Sequence, residues 1–319
     1  MRAVQVVAAV LADSRGRILI TQRPAGKFMA GFWEFPGGKL QDGESPESAL
    51  KRELREELGI EVQSARPLMR LSHAYPALQV ELDVWRVTRY QGEPHSAEGQ
   101  ALAWVEAQKL STWKLLPADA PIVTALRMPE LMLVTPSPGP DHQAFLHALQ
   151  RALRQGVELV QLRAPELKHR ELLDLTRAAV EVCHSRGARL LLNGEPETAL
   201  AAGADGLHLS NARLARIQAR PLPETFLVGA SCHDETGLRM ADANRLDYVI
   251  LGPVQATPSH AHAVPLGWYG FRRLAAQTTL PVYAIGGLSA GDLQRAQQAG
   301  AQGVAAMRAL WGIQEPDSS

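Results

Sequence analysis

Three glutamates stand together on one face of a predicted helix. Glu53, Glu56 and Glu57 are spaced i, i+3 and i+4, which places their carboxylates side by side. Like charges at this spacing repel, and a hard divalent cation with oxygen ligands removes that cost. The alternative is a solvated face on which Arg52 and Arg55 pair with the glutamates. The pattern is that of a Mg²⁺ site, for which Mn²⁺ is an alternative occupant.

The helix that carries these glutamates is predicted by its own residues. Ser45 is a good N-cap, and Pro46 suits the first helical position, where its missing N–H costs nothing. Leucines at positions 50, 54 and 58 give one apolar stripe, and Gly59 suits a left-handed C-terminal cap. The sequence therefore predicts a helix over residues 46–58 with one buried and one acidic face.

Length and charge restrict the class of protein. The chain has 319 residues, more than one hydrophobic core usually holds, so two domains are expected. Its 33 basic and 33 acidic residues cancel, which argues against binding a nucleic-acid polymer or an anionic membrane through overall charge. Two cysteines are too few for a disulfide framework. The apolar start, about nine residues long, is too short to span a bilayer. We expect a cytoplasmic enzyme with a local ligand site.

The apolar pattern changes near residue 129. Before it, strands are predicted over residues 4–12, 17–22, 68–73, 79–89 and 101–105, and a closing helix over 117–126. After it, eight short apolar runs alternate with helical stretches, at residues 131–135, 158–163, 189–193, 206–209, 226–231, 248–252, 281–285 and 303–307. This alternation predicts an α/β chain whose second domain is a (β/α)₈ TIM barrel, with a doubly wound open sheet as the alternative. The predicted domains are residues 1–128 and 130–312.

A longer pattern surrounds the acidic helix. Gly38 is followed after five residues by Glu44, and after seven more the chain reads Arg52-Glu53-Leu54-Arg55-Glu56-Glu57-Leu58-Gly59-Ile60. This spacing resembles the Nudix box. The resemblance to MutT-type Nudix hydrolases spans residues 4–125 and includes Thr21-Gln22-Arg23, Glu34-Phe35-Pro36-Gly37-Gly38-Lys39, Gly92-Glu93-Pro94 and Glu98-Gly99-Gln100. It implies a Nudix α/β/α sandwich that cleaves a nucleoside triphosphate at the β-phosphorus, to a monophosphate and pyrophosphate.

The Nudix resemblance also implies metal ligands and a general base. The ligands would be Glu53, Glu56, Glu57, Glu98 and the carbonyl of Gly38. Bound Mg²⁺ would neutralise charge on the phosphates and activate a water. Glu53 or Glu98 would be the general base, and the sequence does not choose between them.

Further residues are assigned by the same resemblance. Arg52 would orient the glutamates through salt bridges without being a ligand. Arg23 and Lys39 would face the phosphates, and Phe35 would line the substrate site.

Asp119 occupies the position that resembles the base-reading asparagine of bacterial MutT, within Pro117-Ala118-Asp119-Ala120-Pro121. An ionised Asp only accepts hydrogen bonds, so it would repel O6 of 8-oxoguanine. It would instead suit the N1–H and N2–H₂ edge of guanine, unless burial keeps the acid protonated. The alternative is that Asp119 is simply a helix-terminal or surface acid. Because the rest of the domain resembles MutT, we expect a preference for 8-oxo-dGTP.

The second domain resembles thiamine phosphate synthase and its relative TenI, the thiazole tautomerase. The matching segments are Val160-Gln161-Leu162-Arg163, Leu192-Asn193-Gly194, Ala204-Asp205-Gly206-Leu207-His208, Gly229-Ala230-Ser231-Cys232-His233, Asp247-Tyr248-Val249, Gly252-Pro253 and Ala284-Ile285-Gly286-Gly287. They fall at predicted strand ends, where active sites of such barrels form. The resemblance implies a thiazole or thiamine-type phosphate at Arg163, Asn193, Ser231, Gly286, Gly287, Met307 and Arg308. His233 would take the place of the acid–base histidine of TenI.

The barrel departs from the synthase where charge is needed. The synthase binds Mg²⁺ with carboxylates and pyrophosphate with lysines, but here those positions carry Gly194, Arg213, Pro165 and His260. We therefore expect synthase activity to be lost and a TenI-like site at Asn193. Few residues follow the eighth strand, so we expect an apolar edge that a second copy would cover in a homodimer.

The sequence leaves three functions open. The leading one is a hydrolase that cleans the nucleotide pool for DNA replication and repair, carrying a barrel without synthase activity. The second is a Nudix hydrolase of thiamine-pathway pyrophosphates, whose barrel is a thiazole phosphate tautomerase or binds a phosphate. In the third, the barrel is a non-catalytic module for ligand binding or dimerisation.

Overall fold

The protein divides into two compact units, Met1–Arg127 and Met128–Ser319. The structure is a computed structural model that describes residues 3–76, 78–257 and 264–312. Over these residues, no helix combines the length and the apolar composition needed to cross a membrane.

The first unit contains two sheets. Its strands are β1 (Ala3–Leu11), β2 (Ile18–Gln22), β3 (Trp33–Glu34), β4 (Gly37–Lys39), β5 (Glu61–Tyr75), β6 (Leu78–Gln91) and β7 (Leu102–Val105). One sheet has the order β4-β1-β6-β5 and the other the order β3-β2-β7. All five predicted strands are present. β5 begins before the predicted residue 68 because its first half carries polar residues and a proline, which hide the apolar alternation.

Helices cover both faces of the larger sheet. They are α1 (Pro46–Leu58) and α2 (Ala120–Leu126), the latter preceded by a 3₁₀ turn at Pro117–Asp119. Successive side chains of a strand point to opposite faces. Accordingly, Val7 and Ala9 of β1 join the apolar cluster of α1, whereas Ala8 and Val10 join the cluster of α2. This is the predicted α/β/α sandwich.

The predicted bounds of α1 are confirmed. The Ser45 hydroxyl accepts from the Ser48 amide at 3.2 Å, which caps the first turn. Gly59 ends the helix with a φ of 66°, a conformation that glycine adopts without strain. The buried leucines of the helix anchor it to the sheet and leave the glutamates on the opposite side.

The second unit is a closed barrel of eight parallel strands. They are β8 (Leu131–Val134), β9 (Leu159–Leu162), β10 (Arg189–Asn193), β11 (Gly206–Leu209), β12 (Leu227–Cys232), β13 (Tyr248–Leu251), β14 (Val282–Ile285) and β15 (Gly303–Ala306). They follow one another around the barrel in chain order, and β15 pairs with β8 to close it. Each predicted apolar run is a strand, so the barrel is confirmed and the open sheet is wrong.

Helices surround the barrel. They are α3 (His142–Leu153), α4 (His169–His184), α5 (Pro196–Ala202), α6 (Asn211–Leu214), α7 (Glu235–Ala243), α8 (Gly267–Ala275), α9 (Leu293–Gln298) and α10 (Arg308–Trp311). Trp311 of α10 packs on Phe145 of α3, with 5.0 Å between the ring centroids. This contact covers part of the apolar edge predicted after the eighth strand. Homodimerisation stays a prediction.

Candidate active sites

Arg52 of α1 forms hydrogen bonds with three acidic residues of the first unit. Its guanidinium donates to both carboxylate oxygens of Glu44, at 3.0 and 2.9 Å, and to the Lys39 carbonyl at 3.1 Å. It also donates to Glu53 at 2.8 Å and to Glu56 at 3.2 Å. These carboxylate hydrogen bonds, that of Glu44 first, raise the pKa of Arg52 and keep it charged. Arg52 therefore ties the acidic face of α1 to the corner formed by β4.

Glu57 is the buried member of the acidic face. The Gly37 amide donates to Glu57 Oε2 at 3.1 Å. Burial, aided by the charges of Glu34, Glu53 and Glu98, raises the pKa of Glu57 to about 8 despite that hydrogen bond. The Glu57 carboxyl therefore lies near three other carboxylates whose negative charges disfavour its ionisation.

Gly38 leaves room for the Glu53 carboxyl group. A β-carbon on residue 38 would lie 2.3 Å from Glu53 Cδ, which no unbonded pair of carbons tolerates. Strand pairing of Gly38 with Val7 fixes this backbone in place. The Gly38 backbone and the Glu53 carboxylate are therefore neighbours.

The loop after β6 brings Glu98 to the end of α1. The Gln100 side chain donates to the Glu57 carbonyl at 2.9 Å and accepts from the Glu98 amide at 3.1 Å. The Ala97 amide also donates to the Glu57 carbonyl, at 3.1 Å. The Glu98 side chain is 48% exposed and lies 3.7 Å from Lys27 Nζ. Its backbone is thus held while its carboxylate stays open to solvent.

The donor set suits a hard divalent cation. The carboxylates available are those of Glu53, Glu56, Glu57 and Glu98. Oxygen ligands of this kind are what Mg²⁺ prefers, and a cation would offset both the burial and the neighbouring negative charges that raise the Glu57 pKa. In the arrangement seen, Glu53 and Glu56 turn to Arg52, and no three acidic, histidine or cysteine side chains of the described residues converge as a metal-binding group. To bind a cation, Glu53 and Glu56 must therefore give up their hydrogen bonds to Arg52 and turn to the ion.

Asp119 is enclosed at the start of α2. It is 3% exposed, and its Oδ2 has no hydrogen-bond partner among the residues described. Burial, followed by the charge of Glu34, raises the Asp119 pKa well above its ordinary value, although the Phe35 amide and Arg23 act in the opposite direction. Asp119 is therefore not a surface acid, although it does stand at a helix terminus, directly before α2. This environment favours the protonated acid.

Aromatic and charged side chains lie near Asp119. Arg23 forms an ion pair with Glu34 and donates to the Phe28 carbonyl at 2.7 Å. The exposed Phe28 ring lies edge-on to Tyr75, with 5.4 Å between centroids. Burial, followed by the charge of Asp119, raises the Tyr75 pKa despite a backbone hydrogen bond.

The three residues predicted to contact the phosphates or line the substrate site differ in how exposed and how engaged their side chains are. Arg23 was expected at the phosphates, but its guanidinium is engaged by Glu34. The Lys39 side chain is exposed, at the end of β4. The Phe35 ring, expected to line the substrate site, is 4% exposed and packs in the apolar core, and a backbone hydrogen bond joins Phe35 to Asp119.

The carboxyl ends of the barrel strands carry the predicted ligand residues. Arg163 follows β9, Asn193 ends β10, Ser231 lies in β12, Gly286 and Gly287 follow β14, and Met307 and Arg308 follow β15. Both glycines have positive φ, 104° and 67°. A β-carbon on Gly286 would lie 2.6 Å from Pro253 Cβ, so the close approach of these two loops requires glycine.

His233 follows β12 and forms a hydrogen bond to the loop after β13. Its Nδ1 lies 2.6 Å from the Gly252 carbonyl oxygen. Because a carbonyl only accepts, Nδ1 is the donor of this hydrogen bond.

At the described positions that depart from the synthase pattern, the residue is either uncharged or paired with an opposite charge. Arg213 pairs with Glu195 at 2.8 Å. Gly194 is buried, and a β-carbon there would meet the Leu192 side chain at 3.0 Å. Pro165 is exposed, and His260 lies outside the described residues.

The sequence assigned no role to three residues that bear on these sites. Glu34 and Tyr75 reach Asp119 only through tertiary packing, and no local spacing marks them. His208 is buried in β11 and bonds to Ser231. The sequence did contain a signal for His208, because a polar residue inside an otherwise apolar strand needs a buried hydrogen-bond partner.

Both parts of the chain match known families. The family model described as NUDIX domain matches residues 7–125, and the one described as thiamine monophosphate synthase matches residues 131–310. An 8-oxo-dGTP diphosphatase of Escherichia coli is 36% identical over 127 residues, which is 40% of this chain and 98% of that protein. A thiamine-phosphate synthase of Azorhizobium caulinodans is 36% identical over 182 residues, which is 56% of this chain and 86% of that protein. A structure from a study of MutT of Aliivibrio salmonicida and Vibrio cholerae is 36% identical, covers 39% of this chain and 97% of its own, and has a TM-score of 0.35.

Proposed function

Since the chain belongs to the Nudix family over residues 7–125 and to the thiamine monophosphate synthase family over residues 131–310, we propose that its first unit is a Mg²⁺-dependent 8-oxo-dGTP diphosphatase. The reaction would be hydrolysis at the β-phosphorus, which releases 8-oxo-dGMP and pyrophosphate. Such an enzyme removes an oxidised precursor before it enters DNA. The barrel would lack synthase activity.

The enclosed carboxyl of Asp119 is the observation that supports this substrate. A protonated acid donates through its O–H and accepts through its carbonyl, as the amide of an asparagine does. 8-Oxoguanine presents the acceptor O6 beside the donor N7–H, so one neutral Asp119 satisfies both atoms. Guanine has an unprotonated N7, which would face the carbonyl of Asp119 as a second acceptor. The raised pKa of Asp119 therefore favours the oxidised base.

The acidic face would hold Mg²⁺ through Glu53, Glu56, Glu57, Glu98 and the Gly38 carbonyl. When bound, the ion supplies charge neutralisation on the phosphates and Lewis acidity toward the attacking water. Glu53 or Glu98 would take the proton of that water; the Glu53 side chain is 15% exposed and the Glu98 side chain 48%.

A substrate panel with Mg²⁺ tests the proposal. We expect kcat/KM for 8-oxo-dGTP to exceed that for dGTP about tenfold or more, the effect of one mismatched hydrogen-bonding pair. Equal values for the two nucleotides would remove the sanitising role. The panel includes hydroxymethylpyrimidine diphosphate and thiamine diphosphate, and faster hydrolysis of either would replace the proposal with a thiamine-pathway hydrolase. Chelation by EDTA should abolish activity.

For the barrel, the position of His233 favours a second activity. His233 follows β12 at the carboxyl end of the barrel, and its imidazole, which donates from Nδ1 to the Gly252 carbonyl, would serve as a base through Nε2. We propose a TenI-like proton transfer on a thiazole phosphate. A module that binds a ligand without chemistry is the competing role.

Deuterium exchange into thiazole phosphate, followed by NMR, separates these two roles. We expect exchange above the solvent background, and a loss of about a hundredfold in His233→Ala, because a positioned base is removed. His147→Ala, an exposed histidine of α3, is the control. A thermal shift with thiazole phosphate but no exchange in the wild type would leave only the binding module.

A further inference from the structure

Three side chains form a hydrogen-bonded chain inside the barrel. His208 Nδ1 lies 2.9 Å from the Tyr248 hydroxyl, and His208 Nε2 lies 2.8 Å from the Ser231 hydroxyl. His208 and Tyr248 are both 0% exposed, whereas Ser231 at the end of β12 is half-buried. Tyr248 also packs edge-on against Tyr283, with 5.9 Å between centroids, which holds the phenol in place. The chain thus runs from the core to a residue at the mouth.

The imidazole of His208 is neutral. Burial lowers its pKa to about 3. A neutral imidazole has one N–H donor and one acceptor nitrogen. Its two hydrogen bonds must therefore run in one direction along the chain, either from Tyr248 to Ser231 or from Ser231 to Tyr248.

Burial of Tyr248 decides the direction. Over the residues described, His208 is the partner of the Tyr248 hydroxyl. If Nδ1 carried the proton, the phenolic O–H would be a buried donor without an acceptor, which is costly. Tyr248 therefore donates to Nδ1, and His208 donates from Nε2 to Ser231 Oγ. The hydrogen of the Ser231 hydroxyl is then directed away from His208.

We propose that His208, fixed by Tyr248, is a positioning residue that presets the Ser231 hydroxyl as a hydrogen-bond donor to a phosphate oxygen at the barrel mouth. This inference rests on the ligand site proposed for the barrel. A hydroxyl that already accepts from Nε2–H offers a ligand its proton, so the matching atom is an acceptor such as an oxyanion. Ser231 and His233 both lie at the carboxyl end of β12, so the donor and the proposed base share one end of the barrel. The same direction excludes Ser231 as a nucleophile activated by His208, because Nε2 has no lone pair to receive its proton.

Histidine-selective ¹⁵N NMR tests the direction without any ligand. The His208 resonances are identified by their loss in His208→Gln. We expect the tautomer protonated on Nε2, with Nδ1 accepting, unchanged between about pH 5 and 9 because the ring is buried. Tyr248→Phe should shift the Nδ1 resonance, since it removes the donor. Tyr283→Phe removes a buried hydroxyl that bonds to the Pro129 carbonyl instead, and should not shift it. A proton on Nδ1 of His208 in the wild type would overturn the proposal.

Calorimetric titration tests the consequence for binding, with inorganic phosphate and thiazole phosphate as the two probes. We expect Ser231→Ala to weaken binding about tenfold, the loss of one hydrogen bond to a charged group. The double variant His208→Leu/Tyr248→Phe, which leaves neither residue with a buried polar group that lacks a partner, should weaken binding similarly. His208→Gln should bind within about threefold of the wild type, because its amide can still donate to Ser231.

The outcomes distinguish failure of the positioning role of His208 from failure of the proposed phosphate site. If the double variant binds like the wild type while Ser231→Ala does not, His208 is not a positioning residue. If the wild type binds neither probe, the phosphate assignment and the proposed barrel site both fail, whereas the NMR experiment still decides the direction of the chain. Binding of thiazole phosphate alone identifies the organic ligand, and equal binding of both probes identifies a site for the phosphate group itself.

Discussion

Replacing Glu53 with glutamine is expected to lower kcat for 8-oxo-dGTP hydrolysis by about two orders of magnitude or more. Glutamine keeps the volume beside Gly38 but has neither the negative charge that attracts a cation nor a basic oxygen. The contact with Arg52 would persist through the amide oxygen, so the fold of α1 should be retained. Steady-state kinetics at saturating Mg²⁺ measures the effect.

Glu47→Gln is the matched control on the same helix. Glu47 is exposed and pairs only with Lys51, at 2.7 Å, among the contacts of the described residues. Exposed pairs of this kind contribute little, so we expect kcat within about twofold of the wild type. Glu98→Gln then distinguishes the two candidate bases, because only loss of the base removes the acidic limb of the pH profile. Activity of Glu53→Gln near the wild-type level would refute the role of the acidic face.

Asp119 is expected to set the preference for the oxidised base. Asp119→Ala should lower kcat/KM for 8-oxo-dGTP about 10- to 100-fold, which corresponds to about 1–3 kcal/mol for a lost partner of a buried polar group. Asp119→Asn should retain the preference, because the amide offers the same donor and acceptor as the protonated acid. The ratio of kcat/KM for 8-oxo-dGTP to that for dGTP is the quantity to measure.

That ratio should also depend on pH. Because burial raises the Asp119 pKa, the acid is protonated below the raised pKa, and the preference for 8-oxo-dGTP is present there. As pH rises through that pKa, the carboxyl ionises, loses its O–H donor and repels O6, so the ratio should fall toward or below one. Ionisation of Glu57, whose pKa is also raised, affects both substrates and cancels in the ratio. Asp119→Asn should show no such fall, and a ratio that is flat with pH in the wild type would contradict the protonated acid.

The local elements could be predicted because their signals lie within a few residues. The N-cap at Ser45, the leucine stripe and the left-handed Gly59 each report on one helix, and the observed bounds of α1 agree with them. The eight barrel strands were likewise visible as apolar runs between helical stretches, and their number argued for closure. The extent of β5 was underestimated, because solvent-facing polar residues carry no apolar period.

Partners and protonation states, by contrast, were decided by packing between distant segments. Arg23 was expected to meet phosphates, and the fold pairs it with Glu34, whose charge also acts on Asp119. Whether the carboxyl group of Asp119 is protonated depends on its burial in the folded domain. The order of hydrogen bonds through His208 depends in the same way on Tyr248, 40 positions later. Spacing along a chain fixes the local backbone geometry, whereas desolvation and hydrogen-bond direction depend on the three-dimensional surroundings, which only the folded protein supplies.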